Sequence, residues 1–115
     1  MALKRFAGNA RMSSAVLHGN TLYTKGVTPQ NTDAGIEDQT KDVLSQIDDI
    51  LKAAGTSKEN VIKVQIWLTD IADFEGMNSV YDAWLSKGNE PVRACVESRL
   101  ANPAMKVEIQ VEAAV

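Results

Sequence analysis

Glu90-Pro91-Val92-Arg93-Ala94-Cys95-Val96-Glu97 is the stretch on which the fold turns. Proline has no N–H and belongs at the first residue or the edge of a strand, so Pro91 marks where the run begins. From there side chains alternate across the pleat. Arg93, Cys95 and Glu97 share one face, and Ala94, Val96 and Ser98 the other. A guanidinium on a rigid strand is a natural receptor for a carboxylate, because its planar fork meets two oxygens at once. The plainer alternative is a solvated surface arginine paired with a nearby acid.

Upstream, residues 61–68 alternate cleanly: Ile62, Val64, Ile66 and Leu68 face one way, Lys63, Gln65 and Trp67 the other. Residues 70–73 read as a turn with Asp73 as N-cap. Phe74, Met77, Tyr81, Trp84 and Leu85 then form a helical stripe, closed by Gly88. A longer helix is predicted over 36–54, with Val43, Leu44, Ile47, Ile50, Leu51 and Ala54 at three- and four-residue steps. Gly55 fits its C′ position. Two β-prone runs, 14–17 and 21–25, flank His18-Gly19-Asn20 and predict a hairpin. Residues 26–35 read as loop. Downstream of Arg93, a loop holding Pro103 leads to a last strand over 106–114. Val107, Ile109 and Val111 share one of its faces, Lys106, Glu108, Gln110 and Glu112 the other.

The order β-β-α-β-α-β-β predicts a two-layer α+β domain over residues 1–115, because two amphipathic helices cover one face of one sheet. The other face is expected to hold Trp67, Arg93, Cys95, Glu97, Glu108 and Gln110. Such a mixed face is commonly covered by symmetric assembly, which predicts a homo-oligomer.

The chain has 115 residues, 44% hydrophobic and 23% charged, the range of one globular domain. No apolar run approaches the ~18 residues of a membrane span, and the first residues are too polar for a signal peptide. One cysteine cannot make an internal disulfide, which fits a reducing cytoplasm. A net charge of −3 with scattered Lys and Arg makes nucleic acid a poor partner. One His and one Cys cannot build a zinc cluster, and no phosphate-binding glycine loop is present.

Taken together, several pieces resemble one family in order and spacing. They are residues 19–26 (GNTLYTKG), Gln39-Thr40, Ala53-Ala54-Gly55, Val61-Ile62-Lys63-Val64, Asp73-Phe74 with Asn78-Ser79-Val80-Tyr81, residues 91–97, and Val107-Glu108-Ile109. The chain is identified by them as similar to the RidA/YjgF group of small enamine/imine deaminases, from about residue 14 onward. The resemblance implies a chorismate-mutase-like fold, a homotrimer whose sheets form a central barrel, and ligand pockets between subunits. It implies hydrolysis of reactive 2-enamino and 2-imino acids to 2-keto acids and ammonia, without metal or organic cofactor. By the same resemblance Arg93 binds the substrate carboxylate with Asn78 in the substrate-binding set, the Cys95 backbone contributes to the pocket, and Glu108 handles the catalytic water. Anchoring the carboxylate would fix the electrophilic carbon, and a carboxylate beside water can shuttle protons to departing ammonia.

Two positions depart from the family's pattern. Lys25 stands in Thr24-Lys25-Gly26 where a substrate-contacting serine is usual, and Met12 falls where an aromatic is usual. Lys25 is either a rim lysine in water or a second cation in the pocket that favours a longer or dianionic substrate; a Schiff-base lysine would require desolvation. Cys95 reads as a small buried hydrophobe, with a thiolate stabilised by Arg93 as the alternative. His18 is placed in the hairpin turn, and Trp67, Tyr81 and Trp84 read as packing or interface residues. The alternatives to a deaminase are a non-catalytic trimer that senses small carboxylates, the ribonuclease or translation-inhibitor role attached to parts of the family, and a chaperone-like holdase.

Overall fold

Both predicted helical stripes and every predicted strand are present in the computed structural model, which describes residues 2–115. The strands are β1 (Lys4–Arg5), β2 (Ala15–His18), β3 (Thr21–Thr24), β4 (Val61–Leu68), β5 (Val92–Glu97) and β6 (Val107–Ala114). The helices are α1 (Ile36–Ala53) and α2 (Phe74–Trp84). One sheet runs in the order β1-β2-β3-β6-β4-β5, antiparallel except for the parallel β4–β5 pair. The two-residue β1 is an addition to the expected order; Lys4 and Arg5 carry no apolar alternation that would announce it.

Gly19 takes the positive φ, 61°, that the tight β2–β3 turn needs. His18 sits at the end of β2 and is exposed. Gly55 ends α1 at φ 82°, with Thr56 N–H donating to Leu51 O and Gly55 N–H to Lys52 O, a Schellman closure. Val43, Leu44, Ile47, Leu51 and Met77 from the helices bury against Leu22, Val64, Ile66, Leu68, Val107, Ile109 and Val111 from the sheet. Each large aliphatic buried this way contributes about 1.5–3 kcal/mol. Trp84 Nε1 donates to Asp48 Oδ1 at 2.9 Å, tying α2 to α1.

Three expectations need correction. In β4 it is Val61, not Ile62, that is buried; Ile62 is 48% exposed. Val61 pairs with Ala113 and Lys63 with Glu112, so a bulge sets two residues against one and resets the alternation. Asp73 holds the N-cap position of α2 but makes no capping bond. Asp70 does so one turn earlier, accepting from Ala72 N–H at 2.9 Å. The third correction concerns the site. In the β4–β5 register Val64 stands beside Arg93, Ile66 beside Cys95 and Leu68 beside Glu97. Val64, Ile66 and Leu68 point into the core, so Arg93, Cys95 and Glu97 lie on the helix-covered side of the sheet. The uncovered side carries Gln65, Trp67, Glu108 and Gln110 as expected, joined by Val92 and Val96, of which Val92 is 67% exposed.

Candidate functional site

Arg93 projects from the edge strand β5 toward α2. Its Nη1 donates to Asn78 Oδ1 at 2.8 Å. Its Cζ lies 4.8 Å from the Tyr81 ring centroid and 5.7 Å from that of Phe74, both within cation–π range. Among the described residues the only ion pair is Lys63–Glu112, so no carboxylate takes up the Arg93 charge. Glu97, on the same strand face, instead accepts from Ile71 N–H at 2.9 Å. The surface arginine paired with an acid is therefore not what the sequence builds. Tyr81, read as a packing residue, packs and also stacks on the guanidinium.

Cys95 follows two residues on, half-buried beneath Arg93 on the same side. Burial pushes its thiol pKa up, and the nearby Arg93 charge pulls it down less strongly. That opposes a thiolate and favours the reading as a small hydrophobe. Because β5 is an edge strand, half of its backbone polar groups, around Cys95 as elsewhere, point away from β4 and remain open.

Glu108 stands on the opposite side of the sheet, across from Trp67. It is half-buried and its carboxylate makes no hydrogen bond to a described residue; burial raises its pKa above the ordinary carboxylate value. The β3–loop connection brings Gly26 against it. Tyr23 pairs with Glu112 and Val27 with Ile109, so the outgoing chain spends one residue more than β6 over the same span and bows outward. Thr24 fixes the bow: its Oγ1 accepts from Val111 N–H at 3.1 Å and donates to Lys25 O at 2.8 Å, while Gln110 Nε2 donates to Thr24 O at 3.0 Å. A Cβ on Gly26 would collide with Glu108 Oε2. Glycine here makes room for the carboxylate.

The two departures from the family's pattern, Met12 and Lys25, share one groove that reaches Gly26. Arg5, Met12, Tyr23, Lys25, Gly26 and Gln110 line one open groove of ≈ 390 Å³. Lys25 is half-buried and has no ion-pair partner among the described residues. The proposed site residues thus fall apart: Arg93, Asn78 and Cys95 lie on the helix side and Glu108 on the uncovered side, while Lys25, just past the end of β3, lines both the groove with Tyr23 and Gln110 and a second one with Gln46, Asp49 and Ile50 of α1. One protomer does not bring them together.

Sequence reasoning assigned no role to Gln39, which is completely buried at the start of α1. Its Nε2 donates to Ala34 O and Ala104 O, both at 3.0 Å, and its Oε1 accepts from Lys106 N–H at 2.8 Å. These bonds set the start of β6, two residues before Glu108. A glutamine opening an apolar helix stripe was the available signal.

No helix among the described residues is long and apolar enough to cross a membrane, and no cluster of three or more His, Cys, Asp or Glu among them could hold a metal ion.

Comparison with known proteins gives a consistent set of relatives. The model of the family Endoribonuclease L-PSP matches residues 2–115. The RutC family protein YoaB of Escherichia coli K12 is 44% identical over 115 residues, covering 100% of each chain. A 2-iminobutanoate/2-iminopropanoate deaminase of Rattus norvegicus is 33% identical over 104 residues, covering 85% of this chain and 75% of the rat protein. The crystal structure of a YjgF family member from Neisseria meningitidis superposes with a TM-score of 0.96 at 40% identity, covering 99% of this chain and 95% of that one.

Proposed function

The chain belongs to the endoribonuclease L-PSP family, which is also the family of the RutC and YjgF proteins, and on that premise we propose that it hydrolyses 2-enamino and 2-imino acids to 2-keto acids and ammonia. The observation that carries this reading is the unneutralised charge of Arg93. A guanidinium held by an amide and two rings, with no acid beside it, is a receptor kept ready for a carboxylate. Binding there leaves the adjacent C=N carbon in a fixed position, which converts encounter into orientation. Glu108 positions a water for attack on that carbon. With its pKa raised by burial, the carboxyl is better suited to accept the water's proton and pass it to the leaving ammonia. The Cys95 backbone and Asn78 complete the ligand contacts, and Lys25 borders the water side.

Arg93 and Glu108 project from opposite faces of one sheet, so the working pocket in this reading joins the Arg93 side of one protomer to the Glu108 side of a neighbour. The exposed Val92 and Val96 and the half-buried Trp67 give the uncovered face the mixed character of a subunit contact. A cyclic homotrimer in the cytoplasm, formed from this single domain, closes that face. The rat deaminase, a relative named for this chemistry, supports the reaction class.

The test is release of ammonia and keto acid from 2-aminoacrylate generated in place by a serine dehydratase. Wild type accelerates release and Arg93→Ala does not. Equal rates with wild type, Arg93→Ala and no added protein overturn the reaction. One feature favours a second reading, a carboxylate binder without turnover: Lys25 stands where the family resemblance expects a serine, one residue before the Gly26 that abuts Glu108. Pyruvate binding without acceleration would select it.

A further inference from the structure

Resting on that reading of Arg93, we propose that Phe74, Asn78 and Tyr81 form a clamp that fixes the guanidinium for carboxylate recognition and leaves its charge unspent. The three residues fall at i, i+4 and i+7 of α2, one stripe of one helix. The helix itself is anchored by buried Met77 and by the Trp84–Asp48 hydrogen bond. Phe74 and Tyr81 offer ring faces at 5.7 and 4.8 Å from Cζ, and Asn78 Oδ1 accepts from Nη1 at 2.8 Å.

Every group in this clamp is neutral. Aspartate at position 78 could accept the same hydrogen bond, but it would also neutralise the cation. Asparagine separates orientation from charge. The acids on and next to β5 are engaged elsewhere: Glu97 accepts from Ile71 N–H and Glu90 from Gly88 N–H at 2.8 Å. Nε and Nη2 of Arg93, and Nδ2 of Asn78, make no hydrogen bond to a described residue, so they remain for the ligand. A long flexible side chain that must be frozen on binding weakens affinity, and a clamp removes that cost beforehand. Asn78, placed in the substrate-binding set by the resemblance, is thus first a positioning residue acting through Arg93.

The experiment measures ¹⁵N relaxation at Arg93 Nε in the full chain, with the exposed Arg5, Arg11 and Arg99 as internal references. Pyruvate and pyruvamide are titrated in parallel. In wild type the Arg93 order parameter lies near the rigid limit of about 0.85, and the references fall below about 0.6. Asn78→Ala lowers Arg93 toward the references and weakens pyruvate binding about tenfold, the loss of one charge-assisted hydrogen bond, without changing pyruvamide. Asn78→Asp keeps Arg93 ordered yet weakens pyruvate at least as much, a split that mere structural damage does not give.

The clamp is overturned if Arg93 is as mobile as Arg99 in wild type, or if Asn78→Ala leaves its order untouched. Equal failure of wild type and Arg93→Ala to prefer pyruvate over pyruvamide overturns the carboxylate reading beneath it, while the order parameters still decide whether the clamp exists.

Discussion

Arg93 stands beside Val64 on β5 and Glu108 beside Trp67 on β6, so the two side chains leave opposite faces of the same sheet. No rotamer change within one protomer brings them to a common ligand. If the pocket joins two protomers, each variant subunit lacking one residue still supplies the other. Arg93→Ala and Glu108→Gln are expected to be inactive separately. Unfolded together in equal amounts and refolded, they should recover roughly a quarter of the wild-type sites by random assortment around a closed ring of heterologous contacts. Ammonia release is the measurement, and a refolded mixture as inactive as its parents would remove the shared pocket.

Gly26 gives a sharper handle on Glu108. An added Cβ collides with the far end of the carboxylate and comes within 3.0 Å of its Cδ, and its three nearest neighbours are all Glu108 side-chain atoms, the third at 3.4 Å. Gly26→Ala is therefore expected to move Glu108 rather than the strands, leaving stability within about 0.5 kcal/mol. Deaminase turnover should fall by up to about 100-fold, the loss that a displacement of about 1 Å in a positioned group can cause. Urea unfolding and turnover on one preparation check this. A folded variant with wild-type turnover would show that Glu108 is not held in place for the chemistry.

The helices were legible because each carries its whole apolar stripe within its own sequence, and Gly55 and the Gly19 turn announced themselves by the conformations they allow. The side on which Arg93 emerges was not. Alternation along β5 says which residues share a face, but which face that is depends on register with β4, reached through the α2 crossover, and a one-residue slip reverses it. Ile62 misled for a related reason: the bulge at Val61/Lys63 exists only against β6. Phe74 and Tyr81 lay in one legible helical stripe and Asn78 was named through the resemblance, yet only the third dimension set all three beside Arg93.

Gln39 links the loop before α1 to the start of β6: its fully buried side chain bonds backbone groups of half-buried Ala34 and Lys106 and of exposed Ala104. Gln39→Leu keeps the volume but strands the carbonyls of Ala34 and Ala104 and the N–H of Lys106. A loss of about 1–3 kcal/mol is expected, since each lost hydrogen bond is worth about 0.5–1.5 kcal/mol and the exposed Ala104 carbonyl turns to water. Chemical denaturation at fixed protomer concentration measures it. A loss below 0.5 kcal/mol, in the range of about what surface substitutions give, would mean that water replaces the amide freely.

Burial raises the pKa of Glu108 in the folded chain above its unfolded value, so between the two values the native state holds more protons than the unfolded state. Stability then falls as pH rises through that window. The penalty is complete above the folded pKa, where a half-buried carboxylate must carry charge, and vanishes below the unfolded one. Glu108→Gln imitates the protonated form and should unfold at a higher temperature than wild type at neutral pH. The gap should close as the pH drops below the ordinary carboxylate range. Differential scanning calorimetry across that range, at one protomer concentration, follows both proteins. A gap that stays constant with pH would assign the effect to packing, and a gap of the opposite sign would mean that the Glu108 carboxylate is stabilised as an anion, contrary to the proton-passing role proposed for it.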